Sequence, residues 1–415
     1  MIGVAQAATK GRGHRMAQVQ GIGKEQDSAE RWVILAVLFA ARTAMAFQFQ
    51  TIGSLSGHLI DSLAIDFVTV GTLIGIYLAP GIFFALPSGV LGQRFGARNA
   101  VLANLMLMIV GGFLTCTNSL WLVFAGRAVS GIGAVLINVL MSKMVADWFG
   151  GRQTVVAMSV FIMSWPLGLA LCLVSLPLLA QVLSWNTAMM ASVAVTAVSL
   201  VLVWGYYREP PGLPTREPAV FRILLDRREW VLTSLSGFVW CTYNVGFVVL
   251  ISFLPQFFMA RGFSLVEASS IVSLLGWILI GTVPLGGMIY ERLKLPNTMM
   301  IGSFLIVAAA AAALPYSGEP VLVFAIIAVV IGIPAGLIMA LPAQSVSPQN
   351  RSAGMGVFYT VYYAGMAALP AMAGRAQDIT GNPGAPALFA AAMMALAIAT
   401  LGVFRLLQHR LSPSA

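Results

Sequence analysis

The sequence predicts an all-α membrane protein with twelve transmembrane helices in two six-helix bundles. Of its 415 residues, 59% are hydrophobic and only 9% are charged, and the mean hydropathy is +0.90. Soluble domains carry about 25% charged residues, so this balance excludes an ordinary soluble protein. The apolar residues form long continuous runs, whereas a membrane β-barrel needs segments of alternating polarity. Helices are therefore the predicted spanning elements.

Each apolar run is long enough for one helical crossing, which needs about 20 residues. In chain order the predicted spans are 32–54, 68–91, 98–116, 120–142, 154–180, 185–207, 230–258, 268–290, 297–315, 320–343, 353–375 and 385–407.

The longest polar break, residues 208–229, follows the sixth span and contains four prolines. It predicts a cytoplasmic linker between an N-terminal six-helix bundle, 31–207, and a C-terminal six-helix bundle, 230–408. Residues 1–30 are polar and have no apolar core, so they predict a disordered cytoplasmic tail. Residues 409–415 form a short cytoplasmic tail at the other end.

The net charge of +9 reflects membrane topology. Only Arg261 and Arg375 fall in outer loops, and only Arg42 and Arg127 fall well inside spans. Every other Lys and Arg lies in segments that are cytoplasmic when the N-terminus is inside, as the positive-inside rule requires for two cytoplasmic termini. We predict a multi-pass protein of the cell (inner) membrane, surrounded by lipid bilayer and without a nucleic-acid partner.

Arg42 and Arg127 have no acidic companion within the predicted spans. All fourteen Asp and Glu fall in tails, loops or span ends, and the three histidines also lie outside. A charge inside the membrane is costly and normally faces a partner or a water-filled cavity. Arg42 follows Trp32 by ten residues, about 15 Å of helix, which brings it to the midplane. The missing acids predict that the substrate itself is the partner of Arg42.

The two halves of the chain echo each other. The segment "GVLGQR" at 89–94 corresponds to "GMIYER" at 287–292, and "AMSVF" at 157–161 corresponds to "GMGVF" at 354–358. A parallel repeat of six helices is typical of transporters whose two halves rock about a site near the midplane.

Two motifs resemble signatures of the major facilitator superfamily: "GVLGQRFGARN" after the second span and "GRAVSGIGAV" in the fourth. The residues that carry the resemblance are Gly89, Gln93, Arg94, Gly96, Arg98, Arg127, Gly131 and Gly133. It implies the major facilitator fold and transport by alternating access, with the loop motif controlling the conformation. Gln93 stands where the superfamily usually has Asp, whereas Glu291, beside Arg292, keeps the acid in the second half. Because Gln93 lacks the negative charge, this departure predicts that the motif of the first bundle holds the outward-facing conformation less strongly.

Four further segments are similar to the cyanate and 2-nitroimidazole transporter branch, whose members carry an Arg in helix 1 and a Trp-Pro in helix 5. They are "RTAMAFQFQ" in the first span, "SKMVADWF" after the fourth, "SWPLG" in the fifth and "GMGVFYTVYYAGMA" in the eleventh.

The candidate site combines Arg42 with polar and aromatic residues near the midplane. Aromatic rings stack on planar ligands, and the guanidinium fork binds planar anions. The predicted substrate-binding residues are Arg42, Gln48, Gln50, Arg127, Trp165, Tyr243, Asn244, Tyr359, Tyr362 and Tyr363. Each has a competing structural role. Arg127 alternatively binds backbone carbonyls or extends toward the outer end of its helix. The aromatics alternatively pack, and only one of the two glutamines is expected to face the site.

The predicted function is secondary transport of a small anion or polar planar solute. Because no titratable group lies in the path, uniport, anion exchange or symport with the proton on the substrate is expected. One alternative is a proton-coupled drug efflux carrier, which predicts a membrane acid. The other is a transporter-like sensor without flux, which an added soluble domain would favour.

The sequence contains no nucleophile–base pair and no metal cluster, so we predict neither an enzyme nor a cofactor or metal site. The three cysteines, Cys116, Cys172 and Cys241, have unrelated spacings and are interpreted as packing residues. The protein is expected to be a monomer that binds a small-molecule substrate.

Overall fold

A computed structural model describes residues 30–84, 96–149, 153–210, 225–347 and 350–411, and all regular secondary structure in these ranges is helical. Eleven helices in these ranges are long and apolar enough to cross a membrane. We number the long helices α1 to α12 in chain order.

The first half contains α1 (Glu30–Ser54), α2 (Phe67–Phe84), α3 (Ala97–Thr115), α4 (Leu120–Trp148), α5 (Gln153–Val182) and α6 (Trp185–Tyr206). A short helix, Ser56–Leu63, follows α1.

The second half contains α7 (Arg227–Ala260), α8 (Leu265–Leu293), α9 (Pro296–Ala313), α10 (Pro320–Gln344), α11 (Arg351–Thr380) and α12 (Ala385–Arg410).

The predicted span 353–375 lies within α11, which is 30 residues long but is not one of the eleven apolar helices. Its sequence is rich in Gly and Tyr, which lowers its hydropathy. It packs against α2 and α7, so much of its surface faces protein. Twelve crossings, like the cytoplasmic position of both termini, remain a prediction.

The ends of the predicted domains differ from the helix ends by a few residues. Asp226 and Glu229 form a capping box that starts α7 at Arg227, inside the predicted linker 208–229. The helix α12 continues to Arg410, into the predicted tail 409–415. The predicted N-terminal tail, except for residue 30, and residues 211–224 of the linker lie outside the described residues.

Helices α2 and α11 pack together across the two halves of the molecule, and so do α5 and α8. Glycines permit both contacts. A Cβ added at Gly71 would lie 2.3 Å from the carbonyl oxygen of Pro370, and one at Gly276 would lie 2.7 Å from that of Pro166. Small residues at helix contacts are the usual means of close packing in lipid.

Candidate functional site

Arg42 is the one residue in the second half of α1 that is not fully buried. Every residue from Ala41 to Ser56 is buried except Arg42, which is half-buried. Its Nε donates a hydrogen bond to Oδ1 of Asn138 (3.2 Å), and its Nη1 donates to the carbonyl oxygen of Phe161 (3.0 Å). The guanidinium carbon lies 4.8 Å from the centre of the Phe161 ring. Helices α1, α4 and α5 therefore position this side chain together.

The partners of Arg42 are neutral, so its positive charge is not compensated. The ion pair between Lys143 and Asp147 does not involve Arg42. Arginine has five N–H donors, and Nη2 of Arg42 makes no hydrogen bond to any residue in the described ranges. The guanidinium thus retains donors for an added acceptor.

Three tyrosines of α11 approach Arg42 from the second half of the chain. Tyr359, Tyr362 and Tyr363 all lie close enough to interact electrostatically with the guanidinium. The Tyr362 and Tyr363 ring centres are 4.9 Å apart, and Tyr359 lies 6.3 Å from Tyr362. The structure therefore brings Arg42 and this tyrosine cluster together at the junction of the two halves.

The tyrosines differ in their surroundings. Tyr363 is buried and its ring fills the space left by Gly81, where an added Cβ would lie 2.3 Å from the ring. Its hydroxyl lies beside the Asn138 side chain. Tyr359 and Tyr362 are half-buried, and their hydroxyls make no hydrogen bond within the described part of the chain.

Trp240 on α7 extends the aromatic surface. Its ring is stacked on Tyr243 at 5.5 Å and lies 6.3 Å from Tyr362. Tyr243 is buried and donates to the carbonyl oxygen of Ile331 at 2.8 Å. Asn244 donates to the Trp240 carbonyl within its own helix. Trp240 was not among the predicted site residues. It is half-buried, whereas Tyr243 is buried, so Trp240 is the α7 ring that is accessible beside Tyr362.

Arg127 has a full set of protein partners. The side chain is 1% exposed. Nε donates to the carbonyl of Leu73 (2.9 Å), Nη1 to that of Gln48 (2.9 Å) and Nη2 to that of Phe49 (3.2 Å). The Tyr77 ring lies 4.3 Å from the guanidinium carbon. These contacts join α4 to α1 and α2, which is the structural alternative considered for this residue.

The two glutamines of α1 also bind backbone carbonyls. Gln48 donates to Met108 at 2.8 Å, and Gln50 donates to Ile251 at 3.1 Å across the two halves. Both side chains are buried. Trp165 is half-buried and packs on Phe49 with ring centres 5.5 Å apart.

The loop motif is only partly described, because Gly89, Gln93 and Arg94 lie outside the described residues. Gly96 has φ +78°, a backbone conformation that favours glycine. Arg98 donates to the carbonyl of Trp204.

The remaining motif residues lie at a helix contact and at the end of α8. Added Cβ atoms at Gly131 and Gly133 would lie 2.3 and 2.4 Å from backbone carbonyl oxygens, so α4 approaches α2 and α3 closely. Glu291 and Arg292 are exposed, and neither forms an ion pair with a described residue.

Sequence reasoning missed three residues beside Arg42 or its tyrosines: Asn138, Phe161 and Trp240. Asn138 could have been found, because Arg127 and Asn138 are the only residues with charged or amide side chains in the fourth predicted span. Trp240 stands three residues before the predicted site residue Tyr243. Phe161 gave no signal, since it contributes a main-chain carbonyl and a ring face.

Residues 38–370 match the family model described as Major Facilitator Superfamily. The chain belongs to the Major Facilitator Superfamily. The solved structure of the nucleoside transporter NupG superposes on this superfamily member with a TM-score of 0.73 and 14% sequence identity. The alignment covers 91% of this chain and 99% of that chain, which shows a shared fold.

Among curated relatives, a 3-(3-hydroxy-phenyl)propionate transporter of Escherichia coli is 24% identical over 399 residues, or 92% of this chain and 96% of that protein. The other relatives named below match a smaller share of this chain. The chain spans 34% of an uncharacterized transporter of Buchnera aphidicola at 26% identity, using 32% of its own length. It spans 43% of the rat choline/ethanolamine transporter at 21% identity, using 54% of its length. It spans 61% of the nitrite extrusion protein of Bacillus subtilis at 24% identity, using 58% of its length.

Proposed function

We propose that this major facilitator protein is a secondary transporter of a small anion or polar planar solute, with Arg42 as the substrate anchor. The observation that carries the proposal is the half-buried guanidinium of Arg42, which has neutral partners and an unused Nη2. A partly desolvated cation without an acidic neighbour favours an anion strongly, because that anion supplies the missing charge.

The contrast with Arg127 supports this choice. Arg127 is buried and each of its three nitrogens already donates to a carbonyl. The side chains of Gln48, Gln50 and Tyr243 likewise donate hydrogen bonds to backbone carbonyl oxygens. We therefore propose a smaller substrate site that consists of Arg42, Asn138, Trp165, Trp240, Tyr359, Tyr362 and Tyr363.

The named substrates of the relatives leave the sign of the cargo open. Nitrite and 3-(3-hydroxyphenyl)propionate are anions, whereas choline is a cation. The site favours the anion, since a cation beside Arg42 would meet repulsion in a medium of low dielectric constant. The same argument disfavours a carrier of cationic drugs. The resemblance to the cyanate and 2-nitroimidazole branch is compatible with this site and remains a prediction.

The test is a thermal-shift screen of cyanate, nitrate and benzoate on the purified protein, followed by uptake of each hit into proteoliposomes. We expect at least one anion to raise the melting temperature and to be transported. Arg42→Ala should abolish both effects, whereas Arg410→Ala, which removes an exposed arginine at the end of α12, should leave them unchanged. Normal transport of the hit by Arg42→Ala would overturn the assignment.

A further inference from the structure

Beside Arg42, the site presents an aromatic surface that a small inorganic anion would leave uncovered. Trp240, Tyr359 and Tyr362 are each half-buried, whereas their neighbours Tyr243, Phe358 and Tyr363 are buried. The buried rings support the half-buried ones from behind: Trp240 is stacked on Tyr243, and Phe358 meets Tyr359 edge-on at 5.2 Å. Exposed faces on a packed aromatic base form a preorganised surface for a planar ring.

Every polar group on this surface can donate a hydrogen bond. The Tyr359 and Tyr362 hydroxyls and the indole N–H of Trp240 make no hydrogen bond within the described ranges, and Arg42 keeps Nη2. An indole N–H and a guanidinium can only donate. Such a set fits a ligand that combines an aromatic face with an acceptor group of negative charge.

The separations limit the distance between the ring and the charge of that ligand. Arg42 and Tyr363 share Asn138 as a hydrogen-bonding neighbour. The ring centre of Tyr362 is 4.9 Å from that of Tyr363 and 6.3 Å from that of Trp240. A ring placed against Trp240 and Tyr362 therefore needs only a short connection to reach the guanidinium with its acceptor.

We infer that the cargo is an aromatic carboxylate, bound with its carboxylate on Arg42 and its ring against Trp240 and Tyr362. This inference rests on the proposed function, since it names the class of anion that Arg42 holds. Nitrate or cyanate would bind the guanidinium alone and leave the aromatic surface in contact with water. The aromatic surface would then contribute nothing to the binding free energy.

The experiment measures equilibrium binding to purified protein with four probes. Benzoate has charge and ring, cyclohexanecarboxylate has the same charge without aromaticity, nitrate is planar without a ring, and benzamide has the ring without charge. We expect benzoate to bind about 3- to 10-fold more tightly than cyclohexanecarboxylate, the range for one favourable aromatic pair. We expect benzamide to bind much more weakly than benzoate.

Variants locate the effect. Trp240→Leu should reduce the benzoate to cyclohexanecarboxylate ratio to about 1. Trp121→Leu, which removes a tryptophan that is 83% exposed, should preserve the ratio. Because the ratio is taken within one variant, a loss of folded protein cancels. Tyr362→Leu provides the same test if Trp240→Leu does not fold.

The outcomes separate the two claims. If nitrate, cyclohexanecarboxylate and benzoate bind equally well and all depend on Arg42, the aromatic inference is wrong and the proposed function stands. The aromatic inference is also wrong, and the proposed function unaffected, if the ratio is unchanged in both Trp240→Leu and Tyr362→Leu. If benzamide binds as well as benzoate, the carboxylate inference is wrong and a polar planar solute remains as the proposed cargo. If Arg42→Ala binds benzoate normally, the proposed function itself is wrong.

Discussion

The carboxylate of Asp378 accepts a hydrogen bond from the backbone N–H of Val68 at 2.8 Å. Its other oxygen accepts from the N–H of Phe67 at 3.1 Å. Asp378 lies near the end of α11 and Val68 in the first turn of α2, so a residue of the second half caps a helix of the first half. Carboxylates are stabilising at helix N-termini, where unpaired N–H groups carry partial positive charge. Opening of the halves at this end must break both bonds.

We predict that Asp378→Asn favours opening at this end. Loss of the charge and of one accepted bond should shift the equilibrium by about 1 kcal/mol, or about fivefold. Spin labels at Leu63 and Gly381, in a background without native cysteines, report the separation by pulsed electron resonance. Asp61→Asn is the control, because Asp61 is an exposed acid in the same region without a cross-half bond. Unchanged distance distributions in Asp378→Asn would refute the prediction.

The α5–α8 contact gives a second prediction about the junction. A side chain at Gly276 meets the Pro166 carbonyl and the Cβ of Ala170 at 2.9 Å, whereas nothing lies within 4 Å of one at Gly281. We expect Gly276→Leu to lower the melting temperature and the transport rate, since overpacking costs about 1–3 kcal/mol. Gly281→Leu, on the same helix, should resemble the parent protein. Equal effects of the two substitutions would contradict the prediction.

Arg127 should matter for stability. Arg127→Leu leaves three carbonyls without their charged donor, which we expect to cost at least about 3 kcal/mol of unfolding free energy. Thermal unfolding in detergent measures the loss. Arg42→Ala should lower the melting temperature much less, because it releases only two bonds at a half-buried position. A variant of Arg127 that keeps its melting temperature but loses ligand binding would reverse the assignment.

Asp66 predicts a stability change in acid. Its carboxylate accepts from the Thr69 hydroxyl and the Thr69 backbone N–H, which lowers its pKa below the ordinary 3.8. Since the folded pKa is the lower one, the stabilisation is complete above pH 3.8 and is lost as the pH falls through the folded pKa. The melting temperature of the parent protein should exceed that of Asp66→Asn at about pH 6, with the difference shrinking below about pH 4. A difference independent of pH would exclude this cap as the cause.

The charges around Arg42 lead to a prediction about the coupling of proton movement to substrate transport. No acidic side chain or histidine in the described ranges contacts Arg42. We expect each transport cycle to move only the proton that the substrate brings. Proton and substrate fluxes measured together in proteoliposomes, at pH values above and below the substrate pKa, give this ratio. A fixed proton count at both pH values would require a titratable group of the protein.

The two intramembrane arginines show how far the sequence leads. Their positions within the predicted spans and the lack of acids in those spans follow from the linear order of residues, so the sequence alone predicted both. Which arginine is satisfied depends on the helices that face it. The partners of Arg127 are carbonyls 54 to 79 residues away, and no pattern in the chain encodes that meeting.

The aromatic part of the site shows the same limit. The α11 tyrosines were predicted from their density in one span, and the structure does bring them to Arg42. Trp240 joins them through the packing of α7 on α11, and Asn138 joins them through its contact with Tyr363. Phe161 accepts a hydrogen bond through its main-chain carbonyl, a group that every residue has, so its sequence position could not reveal this role.

Asn138 lies between Arg42 and Tyr363, and these two residues belong to opposite halves of the protein. A cargo on Nη2 that draws the guanidinium toward itself would lengthen the hydrogen bond from Nε to the Asn138 amide. Loading would then loosen a tether that spans the junction, so the empty and the occupied carrier would differ in how readily the halves move. One amide side chain would thereby couple occupancy of the site to the motion of the whole molecule.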